Sequence, residues 1–383
     1  MGHLKLGIFG TSLKENEFRL PLHPDHIERI DPELCSSIFL ERDYGSRFGA
    51  TEEQLESLVG GLRSQDELIN ECDVILLPKP LPEDIARLRP GQTHWGWPHC
   101  VQDPMLTQHA IDHKLTLIAW EAMNHWQSDG SYGVHVFHKN NELAGYCSVL
   151  QALQLIGRTG EYGKKMTAAV ISFGATGRGA VSALNAMGIL DVTVMTHREP
   201  SAVESPIHST TMAQYGTSKH DPSRLVVLTE DGDRIPLERS LADHDIVVNC
   251  VLQDPDAPYM FVCHDDVKLF RPGSMIVDVS CDTGMGFEWA RPTSFEDPVF
   301  MVDDTLHYYA VDHSPSYLWD SSTWEISEAL LPYIPTVMAG PGAWDEDEVI
   351  KRAIEIRDGV IQNPKILSFQ NRSEDYPHAE RSS

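Results

Sequence analysis

The chain of 383 residues exceeds the usual size of one hydrophobic core, so two domains are predicted. Its 57 acidic residues outnumber its 30 lysines and arginines, and the resulting net charge of −27 argues against binding to nucleic acid. No apolar run reaches the roughly 18 residues that a membrane-spanning helix needs. The composition therefore favours an enzyme that acts on small molecules, with neither nucleic acid nor membrane as a partner.

The cysteines and the N-terminus indicate the compartment. Seven cysteines, an odd number with no pair at C-x-x-C spacing, are typical of reduced thiols rather than of a disulfide framework or a zinc site. The apolar residues 4–9 indicate a first strand and not a secretory leader. We therefore expect a cytoplasmic protein that binds no metal.

The first polar side chain of interest is Arg19, in the segment that follows the first predicted strand. In an open α/β sheet, a loop directly after a strand faces the ligand crevice, so Arg19 is placed to grip a carboxylate. A surface salt bridge is the alternative role.

A second candidate is Lys79, which lies between two prolines just past the buried strand predicted at residues 73–77. Prolines on both sides stiffen the backbone and fix the direction of the ammonium group, which suits a contact with a substrate oxygen. Alternatively, Lys79 only ends the strand.

Two further strands of this first region also end in polar residues. In the segment 91–100, His94 falls within the strand and is interpreted as structural, whereas His99 follows it and is the better acid or base. The next strand ends at Glu121, which could orient the cationic pair or tune its protonation. A hydrogen bond from Glu121 to a neighbouring turn is the alternative.

A glycine-rich turn indicates a dinucleotide site. A long apolar helix, predicted from residue 140 to 155, carries the chain into a second domain, where an apolar strand at 168–173 ends in G-x-x-G-x-G and a helical pattern follows. Such a β-turn-α-β unit can hold a pyrophosphate on the helix N-terminus, although glycines there could also serve packing alone. The predicted cofactor-binding residues of the turn are Gly174, Ala175, Thr176, Gly177, Arg178 and Gly179.

The end of the following strand bears on the choice of cofactor. An NAD-binding unit usually places Asp or Glu there for the ribose 2′-hydroxyl, but this chain has Thr196, His197 and Arg198. A 2′-phosphate is therefore the better match, so NADP(H) is preferred and NAD(H) is possible. Arg198 could instead be a solvated loop charge.

The remainder of the chain resumes the α/β pattern after an interruption. Residues 199–240 are rich in Ser, Thr, Pro and charge, and they are predicted to be an irregular or hairpin insertion. Buried strands follow at 245–251 and 273–282, and Asp282, at the end of the second, could reach either substrate or cofactor. A long helix from about residue 321 is expected to return to the first domain.

The chain contains a series of short motifs in a fixed order: K-E-N-E-x-R, the strand-end lysine with L-P-E and L-R-P-G-Q, G-W-P-H, K-N-N-E-L-A-G-Y, the glycine turn, V-D-V-S-C-D and V-D-H-S-P-S. This order resembles the superfamily of alanine dehydrogenase, saccharopine dehydrogenase and N5-(carboxyethyl)ornithine synthase, which includes the nucleotide-binding part of transhydrogenase. Within it, the chain looks most like the carboxyethylornithine synthases.

The resemblance implies roles for particular residues. Arg19 and Lys79 would bind the carboxylate and the carbonyl of a 2-oxo acid, and His99 would be the acid/base. Asp282 and Asp312 would line the nicotinamide side of the cleft, with Asp312 contributing to the substrate site. The resemblance also implies a homo-oligomer.

Three positions depart from parts of that superfamily. Alanine dehydrogenases typically carry N-M-P-G-A where this chain has residues 312–316, which counts against simple alanine oxidation. They also carry an aspartate where this chain has Thr196. Saccharopine dehydrogenases usually have an acid where this chain has Pro80.

The sequence thus predicts an α/β protein of two Rossmann-like domains, with parallel sheets flanked by helices and an active-site cleft between them. Residues 1–139 with 306–383 are expected to form the substrate domain and 140–305 the dinucleotide-binding domain. The expected reaction is the NAD(P)H-dependent condensation of a pyruvate-like 2-oxo acid with an amino acid such as ornithine or lysine. An alanine or saccharopine dehydrogenase activity and a non-catalytic nucleotide- or amino-acid-binding protein are the alternatives.

Overall fold

The structure, a computed structural model, describes residues 2–198, 210–219, 221, 224–228, 234–254 and 257–381. The chain divides into two compact units, the first formed by Met1–His138 with Trp319–Ser383 and the second by Lys139–Leu318. The sequence had placed residues 306–318 with the first unit. They lie in the second because Leu306–Tyr309 pairs with a strand of that unit's sheet.

Short apolar runs form most of the strands, which are buried as expected for parallel sheets covered by helices. The strands in chain order are β1 (Leu6–Ile8), β2 (Ile38–Glu41), β3 (Gly61–Arg63), β4 (Val74–Leu76), β5 (Thr93–Gly96), β6 (Thr116–Ala119), β7 (Asn124–Trp126), β8 (Tyr132–His135), β9 (Thr167–Ile171), β10 (Asp191–Thr196), β11 (Thr210–Thr217), β12 (Leu225–Leu228), β13 (Arg234–Pro236), β14 (Ile246–Asn249), β15 (Met260–Val262), β16 (Ser274–Asp278), β17 (Gly286–Phe287), β18 (Val299–Val302), β19 (Leu306–Tyr309), β20 (Ile354–Arg357) and β21 (Val360–Ile361).

The helices are mostly short, and many begin at a Ser, Thr, Asp or Asn whose side chain accepts a hydrogen bond from the first turn. They are α1 (Pro32–Cys35), α2 (Glu52–Glu56), α3 (Gln65–Glu71), α4 (Pro82–Ala86), α5 (Pro104–Asp112), α6 (His138–Leu155), α7 (Ala175–Ala186), α8 (Leu237–Ala242), α9 (Trp319–Leu330), α10 (Ile334–Ala339), α11 (Pro341–Glu346), α12 (Glu348–Ala353) and α13 (Pro364–Phe369). No helix in the described part of the chain combines the length and the apolar character needed to cross a membrane.

The first unit contains a sheet with the order β21-β20-β6-β5-β4-β1-β2-β3. Strands β1 to β6 are parallel, and β20 and β21 extend the sheet as antiparallel edge strands. The order β3-β2-β1-β4-β5-β6 is that of a doubly wound fold, in which ligands bind beyond the carboxyl ends near the reversal point. That point lies between β1 and β4.

The C-terminal segment belongs to the first unit through its apolar side chains. Ile326 and Leu330 of α9 and Val337 of α10 are buried in the same core as Leu6 and Ile8 of β1. The predicted return of the chain to the first domain is therefore seen from α9 onward.

The second unit repeats the same strand order. Among the described residues its main sheet runs β13-β12-β11-β10-β9-β14-β16-β19-β18, in which β11-β10-β9-β14-β16-β19 are parallel. The reversal point lies between β9 and β14. Two Rossmann-like α/β units, as predicted, are therefore confirmed.

The predicted insertion at residues 199–240 contains regular structure. Strand β11 pairs in parallel with β10 and completes the doubly wound order, and β12 and β13 follow as an antiparallel meander. The sequence suggested a hairpin here but gave no sign that one of its strands joins the main sheet. Residues 199–209 lie outside the described part of the chain.

Candidate active site

Two side chains from adjacent loops meet at the carboxyl edge of the first sheet. Lys79 follows β4 and His99 follows β5, and these strands are parallel neighbours. Lys79 Nζ lies 3.1 Å from His99 Nε2, which is hydrogen-bond distance. Because an ammonium can only donate, Nε2 accepts in this contact and the proton of a neutral imidazole resides on Nδ1. A cation and a base thus lie in contact at the carboxyl edge of the first sheet.

The two loops are tied together through their backbones. Trp97 donates its N–H to the carbonyl of Pro78 at 2.7 Å. A Cβ atom at Gly96 would lie 1.9 Å from the carbonyl oxygen of Leu77, so only glycine lets the two strand ends approach this closely. The position of Lys79 relative to His99 is therefore set by the main chain.

A carboxyl group holds His99 in an uncommon backbone conformation. His99 has φ of 48°, in the left-handed region that costs a residue with a side chain about 1–2 kcal/mol. Its N–H donates to Glu121 Oε1 at 2.7 Å, and its ring Nδ1 lies 3.9 Å from the same oxygen. Glu121 lies just after β6. The sequence left two roles open for it, a contact with the cationic pair and a hydrogen bond to a neighbouring turn, and both contacts occur here.

Glu121 has a second carboxyl group beside it, which sequence reasoning missed. Glu355 lies on β20, the antiparallel neighbour of β6, and is buried with Asn363 donating to its Oε1 at 2.9 Å. Burial first, and then repulsion from Glu355, raises the pKa of Glu121 to about 8. Burial likewise raises the pKa of Glu355. At neutral pH the Glu121 carboxyl group, which accepts the N–H of His99, therefore retains a proton that an ordinary carboxyl group would have lost.

Arg19 lies in the loop after β1 and is buried, with 5% of its surface exposed. Its Nε donates to Glu17 Oε1 at 2.7 Å, and Nη2 donates to the other oxygen of the same carboxylate. The guanidinium lies 5.2 Å from the centre of the Trp97 ring, which follows β5. The arginine is thus ion-paired, as the alternative interpretation held, but the pair is buried and packs against the loop that bears His99.

The remaining histidine of this segment is structural in the sense predicted. His94 is buried in β5, and its Nε2 lies 3.1 Å from the carbonyl oxygen of Leu77. Burial lowers the pKa of His94 to about 4, so the ring is neutral across the physiological range.

In the second unit, the turn after β9 has glycine at positions 174, 177 and 179, and the structural reason for glycine differs among them. A Cβ atom at Gly177 would lie 2.4 Å from Ser172 O, and one at Gly179 would lie 1.8 Å from Glu142 O on α6. Packing therefore accounts for these two. At Gly174 nothing lies within 4 Å of the added Cβ atom, and its φ of −77° suits any residue. The space above Gly174 is open to a ligand.

The start of α7 suits an anion. Gly174 is the N-cap, and no described side chain caps the helix, so the first N–H groups have no side-chain acceptor. Arg178 lies in the first turn with its guanidinium 4.5 Å from the centre of the Phe173 ring. Together with the open face at Gly174, these features fit a pyrophosphate, which the residues from 174 to 179 would hold.

The end of β10 bears the residues predicted to select the cofactor. Thr196 is buried, and its hydroxyl accepts the N–H of Arg198 at 3.1 Å. His197 and Arg198 are exposed. Residues 195–198 thus offer exposed basic side chains and no carboxylate.

The ends of β14 and β16 carry a buried polar network that sequence reasoning missed. Asp278 accepts hydrogen bonds from Asn249 Nδ2 at 2.9 Å and from the Tyr308 hydroxyl at 2.5 Å. Burial raises the pKa of Asp278 to about 6. The chain continues through Cys281, at a φ of 49°, to Asp282, whose pKa burial also raises. The network fixes the strand end from which Asp282 projects.

Asp312 follows β19, the neighbour of β16, and lies in the second unit rather than in the first as the sequence suggested. Its Oδ1 lies 2.6 Å from His313 Nδ1. Nearby, Ser314 Oγ lies 2.8 Å from Ser148 Oγ on α6. A carboxylate–histidine pair is therefore held at the same sheet edge as the glycine turn and Asp282.

The predicted residues thus separate into two groups. Lys79, His99 and Glu121 are in contact, and Arg19 packs on Trp97, which lies two residues before His99 in the same loop. In the second unit the glycine turn, Arg198, Asp282 and Asp312 follow parallel strands of one sheet. The contributions that sequence reasoning missed come from Glu17, Trp97, Glu355, Asn249 and Asp278. Three of these, Glu17, Trp97 and Asp278, lay in quoted motifs that also contain the predicted residues Arg19, His99 and Asp282.

Comparison with known proteins bears on both units. The model for the N-terminal domain of alanine dehydrogenase/PNT matches residues 12–144, and the model for the C-terminal domain matches residues 159–364. Two curated relatives illustrate the range of activities. An alanine dehydrogenase of Mycobacterium tuberculosis is 25% identical over 351 residues, covering 86% of each chain. An N(5)-(carboxyethyl)ornithine synthase of Clostridium botulinum is 24% identical over 341 residues, covering 86% of this chain and 94% of the relative.

Solved structures show the same fold. An L-alanine dehydrogenase superposes with a TM-score of 0.73 at 19% identity, covering 96% of this chain and 99% of the other. A transhydrogenase from Sinorhizobium meliloti superposes with a TM-score of 0.69 at 17% identity, covering 94% of this chain and 99% of the other.

Proposed function

This chain belongs to the alanine dehydrogenase/PNT family of oxidoreductases, and we propose that it condenses a 2-oxo acid with the amino group of an amino acid and reduces the product to a secondary amine. The observation that carries the proposal is the 3.1 Å contact between Lys79 and His99 at the carboxyl edge of the first sheet. A fixed cation beside a base suits a carbonyl oxygen that must first gain negative charge and then leave as water.

The first-unit residues account for the steps at the oxo acid. The Lys79 ammonium donates to the carbonyl oxygen and stabilises the charge that develops there as the amine attacks. His99 takes protons from the attacking amine and delivers them to that oxygen, which leaves as water, and an imine carbon remains. Arg19, oriented by Glu17 and Trp97, binds the carboxylate of the same molecule.

The dinucleotide belongs to the second unit. Members of the family use a nicotinamide cofactor, which when bound supplies the hydride that reduces the imine carbon. Residues 174–179 would hold its pyrophosphate. The exposed Arg198 and the lack of a carboxylate at residues 195–198 support a preference for NADP(H), since a 2′-phosphate needs a cation where a free hydroxyl needs an acceptor.

The choice of amine rests on the segment that begins at Asp312. A carboxylate there, paired with His313 at 2.6 Å, suits the ammonium group of a second amino acid such as ornithine or lysine. The N(5)-(carboxyethyl)ornithine synthase among the relatives supports this interpretation. We also expect a homo-oligomer in the cytoplasm, which size-exclusion chromatography with light scattering and cell fractionation would test.

A second candidate is the reductive amination of pyruvate by ammonia, which the alanine dehydrogenases at 25% identity favour. It requires the same roles for Lys79, His99 and Arg19, but no pocket for a second amino acid. The two candidates therefore differ only in the amine.

Product analysis separates them. Oxidation of NADPH and NADH would be followed with pyruvate or 2-oxoglutarate against ammonia, ornithine and lysine, and the product mass measured. A secondary amine from ornithine or lysine supports the first candidate. Alanine from ammonia, with no product from the diamino acids, supports the second and rejects the first. No oxidation with any pair would contradict both.

A further inference from the structure

A second possible binding site lies at the opposite edge of the second sheet from the glycine turn. A cavity of about 310 Å³ is lined by the loop that joins α6 to β9 and by the residues that precede β14 and begin β16. Because β9, β14 and β16 are parallel, their amino ends lie at the edge opposite to their carboxyl ends. The cavity is therefore separate from the residues that would hold a dinucleotide.

The lining of this cavity is basic, although the chain as a whole carries a net charge of −27. The lining contains three cations, Arg158, Lys164 and Arg271, and Asp245 is the single acid among the described lining residues. Lys164 Nζ and Arg271 Nη1 lie 3.3 and 3.4 Å from the same oxygen, Asp245 Oδ1. One carboxylate offsets one of three cations, so a local positive charge of about two remains.

Protein groups hold these cations in place, and the cations remain accessible to solvent. Asp245 is buried, and its other oxygen accepts the N–H of Thr167 at 3.1 Å, while the Lys164 side chain is 74% exposed. Arg158 Nη1 donates to the carbonyl of Gly273 at 2.9 Å, which holds its guanidinium against another residue of the lining. The anchored carboxylate thus holds two cations in place without neutralising the site.

Two further groups in the lining suit an oxygen-rich ligand. Ser274 is 4% exposed, and its hydroxyl has no hydrogen-bond partner among the described residues. A buried hydroxyl without a partner costs free energy that a ligand oxygen would recover. Tyr162, also in the lining, is 82% exposed and has a hydroxyl that can donate to a ligand oxygen.

We propose that this cavity binds a small multivalent anion bearing phosphate or carboxylate groups. Guanidinium groups match both planar carboxylates and phosphates in paired hydrogen bonds, and a concentrated positive site on an acidic protein focuses anions there. The volume is at the lower end of ligand pockets, which suits a compact molecule rather than a complete dinucleotide. The proposal does not depend on the reaction proposed above.

The test uses the full chain with pyrophosphate and with citrate as probes, at matched ionic strength. Calorimetry should show saturable binding of at least one probe, and the double variant Arg158→Gln/Arg271→Gln should weaken it by at least about tenfold. Binding of pyrophosphate alone identifies phosphate as the source of the anion, and binding of citrate alone identifies carboxylate. Arg239→Gln, an exposed substitution on α8, is the matched control and should leave binding unchanged.

Two further variants keep the test decisive. Lys164→Glu reverses one exposed charge without touching the Arg158 hydrogen bond, and it should weaken binding even if the double variant is unstable. Gly174→Ala distinguishes the cavity from the glycine turn, which would itself hold a pyrophosphate, and should leave intact the share of probe binding that the cavity variants weaken. Loss of binding in Gly174→Ala with retention in the cavity variants, or no saturable binding of either probe, would overturn the proposal.

Discussion

The first and second units carry sheets with the same doubly wound order, yet the loops at their carboxyl edges differ in what they present. In the first unit the loops after β1, β4, β5 and β6 supply charged or titratable side chains. In the second unit the loop after β9 presents backbone N–H groups and an open face at Gly174. Topology thus determines where a ligand binds, and the residues at the strand ends determine which chemistry it meets.

Backbone geometry follows the same division. His99 adopts positive φ in the first unit because a carboxyl group holds its N–H, while Ser172, with φ of 78°, opens the glycine turn in the second. In the first unit this conformation orients the His99 side chain, and in the second it leaves main-chain N–H groups of the glycine turn available to a ligand. Substitutions at the two edges should therefore fail in different ways.

The largest effect is expected from the charged edge. Lys79→Met or His99→Ala should lower turnover by roughly 10²–10⁴-fold, because each removes a group that stabilises or protonates the leaving oxygen. The dissociation constant of the dinucleotide, measured by fluorescence titration, should hardly change. His125→Ala, an exposed substitution on β7, is the control and should retain full activity. A His99→Ala variant with full turnover would remove His99 from the mechanism.

Substitutions in the glycine turn should separate an effect on dinucleotide binding from an effect on stability. Gly174→Ala should weaken the dinucleotide by at least about tenfold and cost less than about 1 kcal/mol of stability, because only the ligand needs that space. Gly179→Ala should lower the melting temperature by roughly 2–12 °C, because its Cβ would meet the Glu142 carbonyl. Calorimetry and cofactor titration check both. Equal loss of stability in the two variants would contradict the distinction.

A smaller effect is expected at the end of β10. Arg198→Gln should raise the KM for NADPH by roughly 10–100-fold and leave that for NADH unchanged, because only the 2′-phosphate needs the cation. The substitution Arg239→Gln controls for the loss of one exposed charge. Equal changes for the two cofactors would show that Arg198 does not select between them.

The smallest effect concerns the paired carboxyl groups of the first unit. Burial and Glu355 raise the pKa of Glu121 to about 8, so between about pH 4.5 and 8 the folded state binds a proton that the unfolded chain has released. Stability from this group is therefore full below about pH 4.5 and is lost as the pH rises through about 8. Glu121→Gln should make the melting temperature less dependent on pH over that window. Glu53→Gln on α2 should not, and an unchanged slope in Glu121→Gln would contradict the account.

The sequence predicted the fold and the strand-end residues because both depend on local pattern. Apolar runs that end at Lys79, His99 or Glu121 mark the carboxyl edge of a parallel sheet, and that edge gathers them. The glycine turn was recognisable for the same reason. Each of these signals lies within about ten residues of chain.

What the sequence did not reveal depends on distant pairings. Glu355 reaches Glu121 only because β20 pairs antiparallel with β6, and no local pattern announces that pairing. The boundary predicted at residue 306 differs from the structure because β19 pairs with β16 before the chain returns. The Asp278 network was missed for the same reason, since Asn249 and Tyr308 come from two other strands.

The most direct test of the account is a double-mutant cycle on Lys79 and His99, measured as kcat/KM with pyruvate and the amine that gives product. When two residues act together on one oxygen, removing either one already loses most of their joint contribution to the rate. Removing the second then costs little more. The account predicts that Lys79→Met/His99→Ala is no more than about tenfold slower than the slower single variant. If the two losses multiply in full, the residues act independently and the shared site at the edge of the first sheet is contradicted.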